Sequence, residues 1–177
     1  MRISFLNPLH MQKFVSLLGI CGLVLLLAAC GSTSHIYIVR HGEKVSPSGD
    51  VALSGAGLER AEALKDSLKD KKIAQVYSTN YKRTQQTAAP TAMQFGKDIV
   101  TYNNGDSLLQ ALVKQPKGNV LIAGHSNTVP QMIRAVGLTL SFEGNIPDNQ
   151  YDNLFIITVK RGKQPTLQAM KYGLRSE

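Results

Sequence analysis

The chain has 177 residues, 20 Lys and Arg against 12 Asp and Glu for a formal charge of +8, and two cysteines. That length suits one domain with a single hydrophobic core, and two cysteines exclude a disulfide-built scaffold. The basic excess suits anionic ligands or a membrane surface, but no stretch interleaves basic with aromatic residues as a nucleic-acid groove requires, so no nucleic-acid partner is expected.

Residues 1–29 differ from everything after them. Arg2 and Lys13 give a basic start, an apolar run covers Phe14 to Ala29, and the run closes on Leu27-Ala28-Ala29-Cys30. Sixteen residues fall short of the about 20 that span a bilayer, so a cleaved signal peptide is expected rather than a membrane helix. The closing tetrapeptide looks like a bacterial lipobox, which implies lipidation of Cys30 and a domain held at a membrane of the cell envelope. No Asp follows Cys30 directly, which in a Gram-negative cell implies the periplasmic side of the outer membrane. An uncleaved anchor helix would hold the domain at a membrane as well. Residues 30–34 are then the lipidated cysteine and a short tether, and residues 35–177 are the working domain. Without Arg2 and Lys13, 18 basic residues face 12 acidic ones, a formal charge of +6, and no pair of thiols remains.

Strands and helices alternate through the domain. Ile36 to Arg40 reads as a strand and Gly42 to Val51 as a polar loop. Leu58, Ala61, Leu64 and Leu68 recur at helical spacing behind Ser54, an N-cap residue, which predicts a helix from Gly55 to Asp70. A strand at Ile73 to Tyr77 and a helix from Tyr81 to Phe95, disturbed at Pro90, come next. Asp98 to Thr101 reads as a short strand, Ser107 to Lys114 as a helix and Val120 to Ala123 as a buried strand. A helix from Asn127 to Val136 follows, with Gly137 ending it. Leu154 to Lys160 and Thr166 to Tyr172, joined through Arg161-Gly162-Lys163, read as a hairpin. This order predicts a three-layer α/β/α sandwich with a mostly parallel central sheet and a C-terminal antiparallel hairpin.

Ligands of such sheets bind beyond the carboxyl ends of the strands. Three polar segments fall there: Arg40-His41-Gly42-Glu43, Ser78 to Ala88 with Arg83, and Gly124-His125-Ser126-Asn127. Neutral imidazole attacks phosphorus where anionic nucleophiles are repelled, so His41 is the candidate nucleophile. Arg40 and Arg83 supply planar forks that match two phosphate oxygens, and their charge favours neutral His41. His125 suits donation to an equatorial phosphoryl oxygen, where charge accumulates in the transition state. Asn127 either orients the phosphate or caps the helix it begins.

The three segments, in this order, resemble the histidine phosphatase superfamily, the branch that includes cofactor-dependent phosphoglycerate mutases. The resemblance runs from about His35 to the C-terminus. It implies a phosphohistidine formed on His41, a phosphate pocket of Arg40, Arg83 and His125, and small phosphorylated substrates. Larger relatives supply a general acid from between the second and third segments, which here points to Asp106, with Glu43 as runner-up. A mutase would need extra segments to shield its phosphohistidine, but Arg83 and Gly124 stand only 41 positions apart, so hydrolysis is the expected outcome. A phosphate-binding lipoprotein without turnover, or a mutase, is the alternative. No cofactor is expected, and no metal, since the domain holds only His35, His41 and His125 and no His-Glu-x-x-His pattern.

Overall fold

The computed structural model describes residues 33–176. The expected signal peptide, Cys30 and the start of the expected tether lie outside the described residues. Six strands and four helices alternate: β1 (Thr33–Arg40), α1 (Gly55–Leu68), β2 (Ile73–Ser78), α2 (Lys82–Gln94), β3 (Ile99–Thr101), α3 (Gly105–Lys114), β4 (Asn119–Gly124), α4 (Thr128–Ala135), β5 (Asn153–Lys160) and β6 (Thr166–Lys171). They build one sheet in the order β3-β2-β4-β1-β5-β6, parallel from β3 to β1, with β5 antiparallel to both β1 and β6. The expected sandwich and hairpin are both present. Among the described residues no helix is long and apolar enough to cross a membrane.

β1 and β4 occupy the middle of the sheet, which is why their sequences are continuous apolar runs. Their side chains alternate between two cores. Ile36, Ile38, Val120 and Ile122 face Leu109, Val129, Met132 and Ile133 of α3 and α4. Tyr37, Val39, Leu121 and Ala123 face Leu64 and Leu68 of α1 and Ala88 and Ala92 of α2. Helices therefore cover both faces.

Two expectations need correction. Thr33 and Ser34, expected in the tether, are strand residues paired with Lys160 and Val159, because β5 is long enough to extend the ladder that far. Leu58 is half exposed, while Gly57, Arg60, Ala61, Leu64 and Leu68 are buried. The buried stripe of α1 thus keeps Ala61, Leu64 and Leu68 as expected and differs in its first turn, where Gly57 and not Leu58 is buried. As expected, α2 runs past Pro90 to Gln94, although Pro90 offers no N–H to the carbonyl of Gln86.

The inward position of Gly57 has a local cause. A Cβ on Gly57 would lie 2.2 Å from the Glu43 carbonyl oxygen, and one on Gly42 would lie 2.9 Å from the Gly57 carbonyl oxygen. The loop after β1 and the first turn of α1 touch backbone to backbone, which only glycine permits. Gly57→Ala is therefore expected to lose about 2–3 kcal/mol of stability. Gly55→Ala, with no atom within 4 Å of its Cβ, should be neutral or slightly stabilising. Equal melting temperatures for the two variants in thermal unfolding would refute this account of the contact.

Candidate phosphate site

The sheet register assembles the site. Arg40 is paired with Gly124 and Ser78 with Ala123, so β1, β4 and β2 end level with one another on one rim. The next residues in each case, His41, His125 and Thr79, line a cavity of about 670 Å³ together with Arg40, Arg83, Tyr81 and Tyr151. That volume leaves ample room beyond a phosphate for the group it is esterified to.

His41 is buried and held by two bonds. Its backbone N–H donates to the Gly124 carbonyl at 3.0 Å. Its Nδ1 lies 2.7 Å from the Gly42 carbonyl oxygen, and since a carbonyl only accepts, Nδ1 carries the proton and Nε2 keeps its lone pair. Burial, reinforced by the charges of Arg40, His125 and Arg83, pushes its pKa down to about 3 against the opposing pull of the Gly42 carbonyl. The ring is neutral at any ordinary pH.

Arg40 is almost fully buried and fixed by the segment from Pro147 to Tyr151. Nη1 donates to the carbonyls of Pro147, Asp148 and Gln150 at 2.8, 3.2 and 3.2 Å, and the guanidinium carbon stacks 4.2 Å over the Tyr151 ring. Burial lowers its pKa from the ordinary guanidinium value. Arg83 is placed in parallel fashion: Nη1 donates to the Gly49 carbonyl at 3.2 Å and its guanidinium lies 4.4 Å from the centre of the Tyr81 ring. The Nε–H of each arginine is buried without a hydrogen-bond partner. Both side chains also line the cavity, where the guanidinium fork suits an arriving oxyanion.

His125 sits beside His41, ring centres 5.5 Å apart. Its Nε2 is 2.9 Å from Thr79 Oγ1, which is 2.8 Å from Thr84 Oγ1, whose own proton goes to the Tyr81 carbonyl at 2.9 Å. The chain of donors then runs outward from His125, and Nδ1, 3.5 Å from Arg83 Nη2, is left as the acceptor. Burial, then the charges of Arg83, Arg40 and Lys44, lowers its pKa to about 4. Donation to a phosphoryl oxygen from Nδ1 therefore needs a second proton, which a bound anion would favour.

The remaining sequence-based candidates are placed as follows. Asn127 occupies the N-cap position of α4 without a side-chain cap bond, and it lines the cavity. Thr128 does the local work instead, its Oγ1 accepting from the His125 N–H at 3.1 Å. Neither expected general acid lines the cavity. The Asp106 carboxylate accepts from Gln131 Nε2 at 3.0 Å in the first turn of α3, where Asn104 is the cap. Glu43 is gripped by Arg60, with Nε 2.9 Å from both carboxylate oxygens. Its position after the nucleophile's turn made it a chemical candidate, but the buried Arg60, 17 residues on, claims it. Thr79, Tyr81, Lys44, Asp148 and Tyr151 line the cavity without having been assigned to it from sequence. Thr79 and Tyr81 flank Arg83 and were legible in principle. Asp148 and Tyr151 come from an irregular segment with no periodic signal. Among the described residues no group of three or more His, Cys, Asp or Glu is placed to hold a metal ion.

Residues 36–104 match the family model of the histidine phosphatase superfamily, branch 1. That stretch includes the first two polar segments, and the third reaches the same rim through the fold. Over 75 residues the chain is 36% identical to an uncharacterised protein of Mycobacterium tuberculosis, a match spanning 38% of this chain and 37% of that one. Mycobacterial glucosyl-3-phosphoglycerate phosphatase superposes with a TM-score of 0.61 at 12% identity, covering 80% of this chain and 99% of that structure. A candidate phosphohistidine phosphatase, SixA, of Agrobacterium tumefaciens gives a TM-score of 0.55 at 20% identity, covering 81% and 99%. The mixed α/β fold with its six-stranded sheet is the fold of these histidine phosphatase structures.

Proposed function

We propose that the chain is a metal-independent phosphatase that hydrolyses phosphomonoesters, or phosphohistidine, through a phosphohistidine on His41. The observation that carries this reading is the placement of His41: Nδ1–H is spent on the Gly42 carbonyl, which leaves Nε2 as a neutral nucleophile in a cavity lined by Arg40 and Arg83. Arg40 and Arg83 bind and orient the phosphoryl group, and Asn127 adds an amide at the helix start. His125, protonated as the anion binds, stabilises the equatorial oxygens. The short interval between Arg83 and Gly124 favours release of phosphate to water over return to a product, which a mutase needs. Lipidation of Cys30 would place the domain in the cell envelope, with soluble phosphorylated metabolites, phosphohistidine on a protein or a phosphorylated core sugar as substrates. A phosphate-binding lipoprotein without turnover is the second reading, and intact His41 speaks against it.

The test is hydrolysis of p-nitrophenyl phosphate by residues 33–177. Turnover should persist in EDTA and be inhibited by vanadate, which imitates five-coordinate phosphorus. A folded domain that binds vanadate but never turns over would establish the binding reading, and activity lost to chelation would require a metal.

A further inference from the structure

The site described so far lacks a group to protonate the leaving oxygen, and an alkoxide leaves poorly without one. Asp148 is the sole acidic residue among those lining the cavity. Its Oδ1 lies 3.4 Å from Arg40 Nη2, and its side chain is 99% exposed. The backbone beneath it is fixed, since the Asp148 carbonyl accepts from Arg40 Nη1 at 3.2 Å and the Gln150 N–H donates to the Pro147 carbonyl at 2.9 Å. A carboxylate on a fixed base, free to turn about its side-chain bonds, stands at the mouth through which an ester's leaving group must project.

The other carboxylates around the site are committed. Glu43 is held by Arg60, Asp106 bonds Gln131, Asp50 accepts from the Lys82 N–H at 2.8 Å, and buried Asp152 is taken by Lys171 and the Ser176 N–H. Only Asp148 has as its partner a group the substrate itself needs. A phosphate oxygen arriving on Arg40 Nη2 displaces the carboxylate, which then faces an anion instead of a guanidinium. The proton it hands on comes from the substrate monoanion or from water.

We propose, resting on the phosphatase reading, that Asp148 is the general acid and base of the reaction. In the first step the His41 Nε2 lone pair forms the bond to phosphorus as the bridging P–O bond breaks. The bridging oxygen takes the Asp148 proton and departs as an alcohol, leaving phosphohistidine and an Asp148 carboxylate. In the second step that carboxylate takes a proton from water as the water oxygen bonds to phosphorus. The P–N bond breaks, and His41 and protonated Asp148 are restored.

The test compares Asp148→Asn and Asp148→Glu with the wild type on p-nitrophenyl phosphate, whose phenolate leaves unaided, and on ethyl phosphate, whose alkoxide does not. For Asp148→Asn, kcat/KM on ethyl phosphate should fall about 10²-fold, with a change of no more than about 3-fold on p-nitrophenyl phosphate. Asp148→Glu should recover part of the ethyl phosphate activity. The side chain's exposure makes a folding defect an unnecessary worry, and retained vanadate inhibition verifies the pocket. An equal loss on both substrates, or none on ethyl phosphate, overturns the assignment. A selective ethyl phosphate loss in Asp106→Asn moves the role there and overturns it too. A wild type inactive on p-nitrophenyl phosphate would instead bring down the phosphatase reading itself.

Discussion

His41→Asn is expected to abolish turnover, lowering kcat by on the order of 10³-fold or more, because the proposed nucleophile is gone. The asparagine amide can still donate to the Gly42 carbonyl as Nδ1–H does, so the loop should keep its shape. Arg40 and Arg83, whose Nε–H groups have no partner, remain to bind the anion. Affinity for vanadate or phosphate, measured by calorimetry, should therefore stay within about tenfold of the wild type, an allowance of roughly 1.4 kcal/mol. Wild-type rates in this variant would remove His41 from the mechanism. Loss of anion binding together with activity would show that the ring binds phosphate without attacking it.

The second large effect concerns stability in acid. His41 has an unfolded value near 6.5 and a folded value of about 3, so between these pH values the unfolded chain takes up a proton that the folded domain refuses. Stability contributed by neutral burial is complete above pH 6.5 and declines as pH falls toward 3. From pH 7 to pH 4 the loss from this one group is about 3 kcal/mol. His125, lowered to about 4, adds to it in the same direction. Urea unfolding of the wild type and of His41→Asn at pH 7 and pH 4 isolates the His41 share. The variant should lose about 3 kcal/mol less than the wild type between the two pH values. Parallel losses would mean that His41 is not held neutral by burial. Saturating phosphate should blunt the wild-type loss, because a bound anion stabilises the protonated rings.

The strands and the rim were legible in the sequence because they rest on local patterns. Ile36 to Val39 and Val120 to Ala123 are runs of buried apolar residues that could serve as little else than central strands, and each ends on a residue of the site. The helices were legible too, apart from the first turn of α1. Nothing near Leu58 shows that Gly57 must face inward, because the reason is the Glu43 carbonyl 14 residues earlier. The site divided along the same line. His41, Arg40, Arg83 and His125 follow directly on strands or open a helix, so their grouping follows from topology. The carboxylates do not. Asp106 and Glu43 are close to the site in sequence and committed elsewhere in space, whereas Asp148 meets Arg40 across 108 residues of chain. The segment from Pro147 to Tyr151 has no periodicity, and its function of holding Arg40 becomes visible only when the chain is folded.

The placement of β1 also sets a timetable. This strand is the first of the six to be synthesised, yet it pairs only with β4, which begins at Asn119, and β5, which begins at Asn153. An emerging chain must carry Ile36 to Val39 without a ladder partner until most of the domain exists, and must then close loops of about 80 and 120 residues. Non-local pairing of this kind slows folding and exposes an apolar strand while it waits. Catalytic competence is thus a late event in the life of each molecule. Any chain cut short before β5 should be inactive, poorly soluble and a client for holding chaperones, with every group of the phosphate pocket up to His125 already made.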